Sequence, residues 1–195
     1  MEETGRPIIS GEAAETAASQ RMNEFIMFMD EPIGEIFARD LAIKLQNIGF
    51  FSAPASTRFH GSYPGGLYDH SAAVTRNLLK LTNNLGLRWL DKRSPYIVGM
   101  LHDVCKCKMY KLDVTGEKYE YQHDLKLPGH GERSVMIAHI LGVCLTLEEI
   151  MCIRWHMGAF DDKAMWNSYG RAIEDYNTVL WTHTADMMAT RIDGV

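Results

Sequence analysis

The chain has 195 residues, of which 46% are apolar, and this length and composition predict a globular protein with one substantial core. No continuous apolar run is long enough to cross a bilayer, and the acidic start Met1-Glu-Glu-Thr4 is unlike a secretory signal, so we expect a cytoplasmic protein without a membrane partner. The formal net charge of −5 provides no general basic surface, which argues against a long nucleic acid as a partner.

The first third of the chain combines a polar tail, a helical region and a loop. Residues 1–20 are small, polar and acidic, and they predict a flexible tail before a folded domain over residues 21–195. Apolar residues recur at three- and four-residue spacing from Met22 to Ile48, which predicts a helix that is broken near Glu31-Pro32. Residues 50–66 contain two prolines and three glycines and predict an irregular loop.

Helical signals dominate the remainder of the chain. Asp69 can cap a helix that runs to about Asn83, and Ser94 can cap another helix whose first residue is Pro95. The segment from Thr146 to Glu149 has the spacing of a capping box at the start of a third helix. A further helical pattern runs from Ala172 to Arg191. One interruption has extended character: residues 109–114 and 118–122 flank Thr115-Gly116, which predicts a short hairpin. The predicted fold class is therefore all-α with a small β-hairpin insertion.

The four cysteines do not form a recognisable zinc or disulfide pattern. Cys105 and Cys107 are too closely spaced for a zinc knuckle, and Cys144 and Cys152 fall in segments with a helical pattern. We expect reduced, packed thiols, as is usual for cytosolic proteins.

Histidine and aspartate residues form an ordered series along the predicted helices. Its members are His70, His102-Asp103, His130, His156 and Asp186, and each later position follows the previous one by 26 to 32 residues. That spacing allows successive helices to deliver one ligand each to a common centre. Imidazole nitrogen and carboxylate oxygen together suit divalent transition metals.

This series resembles the pattern of the HD-domain metal-dependent phosphohydrolases, which runs His…His-Asp…His…His…Asp. The segment from Ala53 to His70 is similar to the corresponding segment of the branch that includes bacterial 3′–5′ exoribonucleases. Gly129-His-Gly-Glu-Arg-Ser134 and Trp155-His-Met-Gly158 are similar to the two middle motifs of small bacterial and phage members. The resemblance covers roughly residues 22–191 and implies an HD-domain helical bundle.

The resemblance also implies how metal ions would be divided between these residues. In the family, one ion is held by the first histidine, the His-Asp pair and the last aspartate, and a second ion by the bridging aspartate and the two middle histidines. Carried over, the first site is His70, His102, Asp103 and Asp186, and the second is Asp103, His130 and His156. The expected cofactors are one or two divalent ions, with Mn, Fe, Ni, Zn and Mg all open.

The activity implied by the resemblance is hydrolysis of a phosphate ester or anhydride, in which divalent ions activate water and polarise a phosphoryl oxygen. Asp103 would bridge the ions, and Lys106 and Arg133 would balance charge on the phosphate, unless they are only solvated helix charges. His60 and Trp166 are further candidates for substrate contact, Trp166 by stacking on a base. The expected partner is a small phosphorylated substrate, nucleotide-like in character.

Two other functions are compatible with the same residues. A related di-iron site in some HD-like proteins activates oxygen on an organic substrate, and the chain could instead be a nucleotide-sensing module without turnover. The lysine at position 106 and the flanking motifs favour hydrolysis over oxidation. The complete series of ligands argues against a decayed site.

Overall fold

The computed structural model describes residues 12–115, 118–122 and 129–195. In this part of the chain there are eight α-helices and one antiparallel pair of strands, so the predicted all-α class with a β-hairpin is confirmed. The elements are α1 (Glu12–Ile33), α2 (Glu35–Asn47), α3 (Gly66–Leu85), α4 (Ser94–Leu101), β1 (Tyr110–Leu112), β2 (Tyr119–Tyr121), α5 (His130–Ile140), α6 (Leu147–Arg154), α7 (Trp166–Asp175) and α8 (Thr178–Met188).

The chain forms two compact units. Among the described residues, the first unit consists of residues 12–70, 106–115 and 118–122 together with Val195, and the second of residues 71–105 and 129–194. Helix α3 runs through the boundary between residues 70 and 71. Each unit is assembled from more than one segment of the chain, so neither unit coincides with the single domain predicted over residues 21–195. That domain stays a prediction.

Helix α1 of the first unit begins ten residues before the periodic pattern does. This helix includes residues 12–20, which the sequence predicted as part of a flexible tail. The stretch from Glu12 to Gln20 is rich in alanine and glutamate, which favour helix without needing an apolar face. Residues 1–11 lie outside the described part of the chain. The predicted break near Pro32 occurs at Gly34, whose φ of 84° separates α1 from α2.

Aromatic rings fill the core of the first unit. Phe25 of α1 meets Phe51 at a centroid distance of 5.8 Å, and Phe51 lies 5.4 Å from Phe50 and 5.6 Å from Tyr68 of α3. All four side chains are buried. Edge-to-face and tilted pairs of this kind stabilise a core beyond the area that they bury.

The predicted loop between α2 and α3 is present and is tied to α3 through Asp69. Backbone bonds from Gly65 N to Ser52 O and from Leu67 N to Ala53 O close the loop. Asp69 does not cap α3 as predicted, because it lies inside the first turn and its carboxylate accepts hydrogen bonds from Arg21 and from the hydroxyl of Tyr63 instead.

The predicted hairpin is confirmed, with strands shorter than the predicted segments 109–114 and 118–122, and Gly116 of the predicted turn lies outside the described residues. Strands β1 and β2 pair antiparallel, with Tyr110 opposite Tyr121 and Lys111 opposite Glu120. The rings of Tyr110 and Tyr121 lie 6.1 Å apart, which stabilises the pair across the strands.

Two helix caps were predicted in the second unit. The cap predicted for α4 is wrong, and the cap predicted for α6 is confirmed. Ser94 is the first helical residue of α4 and makes no side-chain cap, because Arg93 before it is already helical, with φ −78° and ψ −20°. Thr146 caps α6 as predicted: its hydroxyl accepts from Glu149 N at 3.2 Å, and the Glu149 carboxylate accepts from Thr146 N at 2.7 Å.

The helix predicted from Ala172 to Arg191 is divided in the structure. Tyr176 is extended, with φ −138° and ψ 98°, so α7 ends before it and α8 begins at Thr178. The division allows the Thr178 hydroxyl to donate to Glu148 at 2.7 Å, and Glu148 also accepts from Leu90 N at 2.7 Å. This buried carboxylate therefore ties α8 and the residues before α4 to α6.

Among the described residues, no helix has both the length and the apolar content that a membrane span requires.

Candidate metal centre

The His102-Asp103 pair lies directly after the end of α4. The apolar residues of α4 are buried, so the chain emerges from this helix inside the second unit, and His102 is 0% and Asp103 2% exposed. The helix end also orients the first ring, because His102 Nδ1 lies 2.8 Å from Gly99 O. A carbonyl accepts the Nδ1 proton and leaves Nε2 as the nitrogen for a ligand.

Three imidazole rings converge on the carboxylate of Asp103. His130 Nε2 lies 2.5 Å and His156 Nε2 3.4 Å from Oδ1, while His102 Nε2 lies 3.5 Å from Oδ2. The ring of His156 is 5.0 Å from that of His102 and 5.1 Å from that of His130. The structure thus brings together the His-Asp pair and both middle histidines predicted from the sequence.

His130 is the first residue of α5, and Gly131 after it allows the start of this helix to lie close to α6. A Cβ at Gly131 would collide with the backbone of Arg154 at the end of α6, so only glycine permits α5 and α6 to approach so closely. Arg154 lies at the same contact, where it pairs with Glu132 and with Asp161, each at 2.5 Å. The pair with Glu132 holds the start of α5 beside the end of α6.

His156 follows α6 and is supported from both sides. Its Nδ1 lies 2.7 Å from Ile153 O, and its own carbonyl oxygen lies 2.7 Å from Nδ1 of His183 on α8. Gly158 has φ 54°, and a Cβ there would lie 2.7 Å from the His183 ring. The glycine of the Trp155-His-Met-Gly158 motif therefore makes room for the ring that orients the His156 backbone.

Asp186 of α8 completes the group in the second unit. Its carboxylate and the rings of His102 and His156 offer ligand atoms that all lie within 4.8 Å of one another, and so do Asp103, His130 and His156. His156, which the resemblance places at the second ion alone, thus also lies near the residues assigned to the first ion. The division of these ligands between two ions stays a prediction.

The charges of this group favour a cation. Burial lowers the pKa of His156, but the negative charges of Asp103 and Asp186 outweigh burial, so its pKa is raised above the ordinary value. A proton and a metal ion would therefore compete for the same nitrogen. A carboxylate as buried as Asp103 carries a large desolvation cost unless positive charge lies beside it.

The donor set fits a divalent metal ion. His156 Nε2 is buried and makes no hydrogen bond to any residue that the structure describes, although it points at two carboxylates. Buried polar atoms normally have a partner, and imidazole nitrogen beside carboxylate oxygen suits divalent transition metals. His102, His130, His156, Asp103 and Asp186 could hold such an ion.

Three of the predicted site residues belong to the first unit. His70 is buried near the start of α3, with Nδ1 3.0 Å from the oxygen of Val195, and its ring lies 5.0 Å from that of His60. Lys106 is half-buried in a 3₁₀ turn, Val104–Lys108, that directly follows Asp103. Their roles as metal ligand, substrate contact and phosphate contact stay predictions.

Arg133 and Trp166 belong to the second unit. Arg133 Nε donates to Gly129 O at 3.1 Å, which holds its guanidinium beside the first turn of α5. Trp166 is 45% exposed at the start of α7, and Lys163 Nζ lies 5.9 Å from its ring centroid. Neither contact assigns a substrate role, so both roles stay predictions.

Sequence reasoning treated Cys105 only as a packed thiol and missed its contact with a predicted ligand. Cys105 Sγ lies 3.0 Å from His130 Nδ1, and Cys105 N donates to Ser134 Oγ at 3.3 Å. The available signal was its position, two residues after Asp103 in the turn that carries the His-Asp pair.

Comparison with protein-family models, with curated proteins and with solved structures finds no match to this chain. The assignment of a function therefore depends on the residues of the site and on the motifs around them.

Proposed function

We propose that this protein is a metal-dependent phosphohydrolase of the HD-domain type that acts on a small phosphorylated, nucleotide-like substrate. The observation that carries the proposal is the arrangement around Asp103, one of whose oxygens faces His130 and His156 while the other faces His102. Such an arrangement suits a carboxylate that bridges two ions. The order of the ligands along the chain and the motifs around them favour phosphoryl chemistry over other uses of a metal site.

The candidate metal ligands of the second unit are three imidazole rings and two carboxylates. His102, His130 and His156 present Nε2 to the centre, and Asp103 and Asp186 bring the two negative charges that hold a cation there. A divalent ion bound by them supplies Lewis-acid polarisation of a phosphoryl oxygen and lowers the pKa of a water molecule. Burial of the group strengthens each of these electrostatic interactions.

Two cationic side chains are proposed to bind the phosphate. Lys106 follows the His-Asp pair by three residues, at the position of a lysine in the family that the chain resembles. Arg133 lies one turn after His130 on the same helix, and a guanidinium can bind two phosphate oxygens at once. His60 and Trp166 are proposed to contact the rest of the substrate.

The proposal is tested by measuring phosphate release and bond cleavage with protein loaded in turn with Mn²⁺, Fe²⁺, Ni²⁺, Zn²⁺ and Mg²⁺. The substrates are mononucleotides, dinucleoside polyphosphates and cyclic nucleotides. His156→Ala should abolish turnover, whereas His139→Ala should not, because His139 is an exposed histidine on the outer side of α5. The pair distinguishes loss of the buried ligand from the loss of any histidine.

The results also separate the two other functions. Absence of cleavage with every metal and substrate contradicts the proposal. Substrate-dependent oxygen uptake by the iron-loaded protein would identify an oxygenase, and tight nucleotide binding without turnover would identify a sensor.

A further inference from the structure

The first unit contains a cavity between the loop that precedes α3 and the β1–β2 hairpin. Thr57 and Arg58 line the cavity from the loop, and Lys111, Glu120 and Gln122 line it from the hairpin. Its volume is about 620 Å³. Sites for small organic molecules usually measure about 300–1,000 Å³, so a single inorganic anion would fill this cavity only in part.

The loop side of the cavity is a turn that is closed by a buried serine. Ser56 Oγ donates to His60 O at 2.8 Å and accepts from Phe59 N at 2.9 Å, and Ser56 is 8% exposed. Arg58 lies in the middle of this turn and its side chain is exposed. The turn therefore fixes the backbone from which the guanidinium extends.

The hairpin side of the cavity carries two opposite charges that are not paired with each other. Side chains alternate between the two faces of a strand, so Lys111, Glu120 and Gln122 project from one face. Lys111 lies directly opposite Glu120, a position at which opposite charges commonly interact. Within the described part of the chain, however, the side chains of Lys111, Glu120 and Arg58 form no ion pair and no hydrogen bond.

These groups match the parts of a phosphorylated sugar. A guanidinium can bind two oxygens of a phosphate, and an ammonium group beside it can bind a third. The carboxylate of Glu120 only accepts hydrogen bonds, so it repels a phosphate but suits a pair of ribose hydroxyls. An inorganic anion would use the two positive groups alone, whereas a phosphorylated ribose uses the carboxylate as well.

We propose that this cavity binds a 5′-mononucleotide. Arg58 and Lys111 bind the phosphate, and Glu120 accepts hydrogen bonds from the ribose hydroxyls. Tyr119 and Tyr121 complete the lining and offer aromatic surface to the base. All of these residues belong to the first unit, and binding there needs no metal ion, so the inference goes beyond the proposed hydrolysis.

The test measures binding to the full chain by titration calorimetry in the presence of EDTA, so that metal-dependent binding and turnover do not contribute. The probes are AMP and its parts, which are adenosine, ribose 5-phosphate and inorganic phosphate. AMP should bind more tightly than each of its parts. Adenosine should bind at least roughly 10-fold more weakly than AMP, because it lacks the group that the two cations bind.

Three variants assign the contacts, with one matched control. Arg58→Ala and Lys111→Ala should each weaken AMP by roughly 10- to 100-fold, the range of a charge-assisted hydrogen bond, and leave adenosine unchanged. Glu120→Ala should weaken AMP but not inorganic phosphate, because it removes a negative charge. Lys118→Ala should match the wild type, because Lys118 is an exposed lysine of the same hairpin that does not line the cavity. Melting temperatures of all the variants check that the fold is retained.

The inference is overturned if the wild type does not bind AMP, or if Arg58→Ala and Lys111→Ala bind it as tightly as the wild type does. Inorganic phosphate that binds as tightly as AMP would also overturn it, because the cavity would then be a site for anions in general. If AMP binds as expected in EDTA but the metal-loaded protein cleaves no phosphate, the proposed function fails and this inference stands. If phosphate is cleaved but the two variants bind AMP normally, this inference fails and the proposed function stands.

Discussion

The two compact units bury different kinds of side chain. The interior of the first unit is aromatic, with Phe25, Phe50 and Tyr68 arranged around Phe51. The interior of the second unit combines aliphatic side chains with most of the buried polar and ionisable side chains of the described residues. Its buried polar side chains are Ser71, Thr75, Asn77, Ser94, His102, Asp103, Ser134, Glu148, Glu149, His156, Thr178 and Thr182.

The buried aromatic rings stabilise the fold, whereas the buried histidines and Asp103 are suited to binding a cation. Burial of aromatic rings is favourable by itself, at about 25 cal/mol for each Å² of apolar surface. Burial of a carboxylate is unfavourable unless hydrogen bonds or opposite charge compensate for it. Glu148 and Glu149 have such hydrogen bonds at helix ends, whereas Asp103 is surrounded by imidazole rings, which suits a cation.

Removing the Asp103 carboxylate from the second unit should have the largest effect. Asp103→Ala should lose metal binding and the proposed phosphohydrolase activity together, because one side chain faces all three rings of the centre. Metal content by mass spectrometry and turnover with the best nucleotide substrate measure the two losses on one preparation. Retention of two metal equivalents by the variant would refute the bridging role.

The matched change in the aromatic interior should affect stability alone. Phe51→Ala should lower the free energy of unfolding by about 3–5 kcal/mol, the usual cost of truncating a buried phenylalanine. Urea denaturation measures this change, and the metal content of the folded fraction should equal that of the wild type. A specific loss of metal, with little change in stability, would contradict the comparison between the two interiors.

Lys106 sharpens the comparison, because it belongs to the first unit but is proposed to act on the phosphate. A preorganised positive charge that interacts with the phosphoryl group mainly in the transition state contributes roughly 10²-fold to kcat. Lys106→Ala should therefore lose about that factor while its metal content and melting temperature are unchanged. The exposed Lys108→Ala is the control in the same turn. Turnover near that of the wild type would move the phosphate-binding role to Arg133.

The smallest effect is expected for a residue of the second unit that has only a structural role. Thr146→Ala removes one half of the capping box of α6 and should cost about 1 kcal/mol of stability. Thermal unfolding measures the loss, and the affinity for Mn²⁺ should stay at the wild-type value. A large fall in affinity would mean that the end of α6, where His156 lies, depends on how the helix begins.

Local signals in the sequence predicted the helices best where the physical cause is local. The capping box at Thr146 and the hairpin between residues 109 and 122 depend on near neighbours in the chain and are confirmed. The predicted cap at Asp69 is wrong because Arg21, 48 residues away, and Tyr63 bind its carboxylate. The helix from Ala172 to Arg191 is divided because buried Thr178 bonds to Glu148, a partner that no pattern within the helix reveals.

The sequence by itself determined the helical class and the spacing that brings one ligand to each of several successive helices. Only the tertiary structure decided which ring meets which oxygen of Asp103, and that Cys105 contacts His130 while backbone carbonyls contact the rings of His102 and His156. The reason is physical: spacing along a helix sets the direction in which a side chain points, but distances between residues 25 or more positions apart depend on how the helices pack. At α5 and α6 that packing depends on the missing side chain of Gly131.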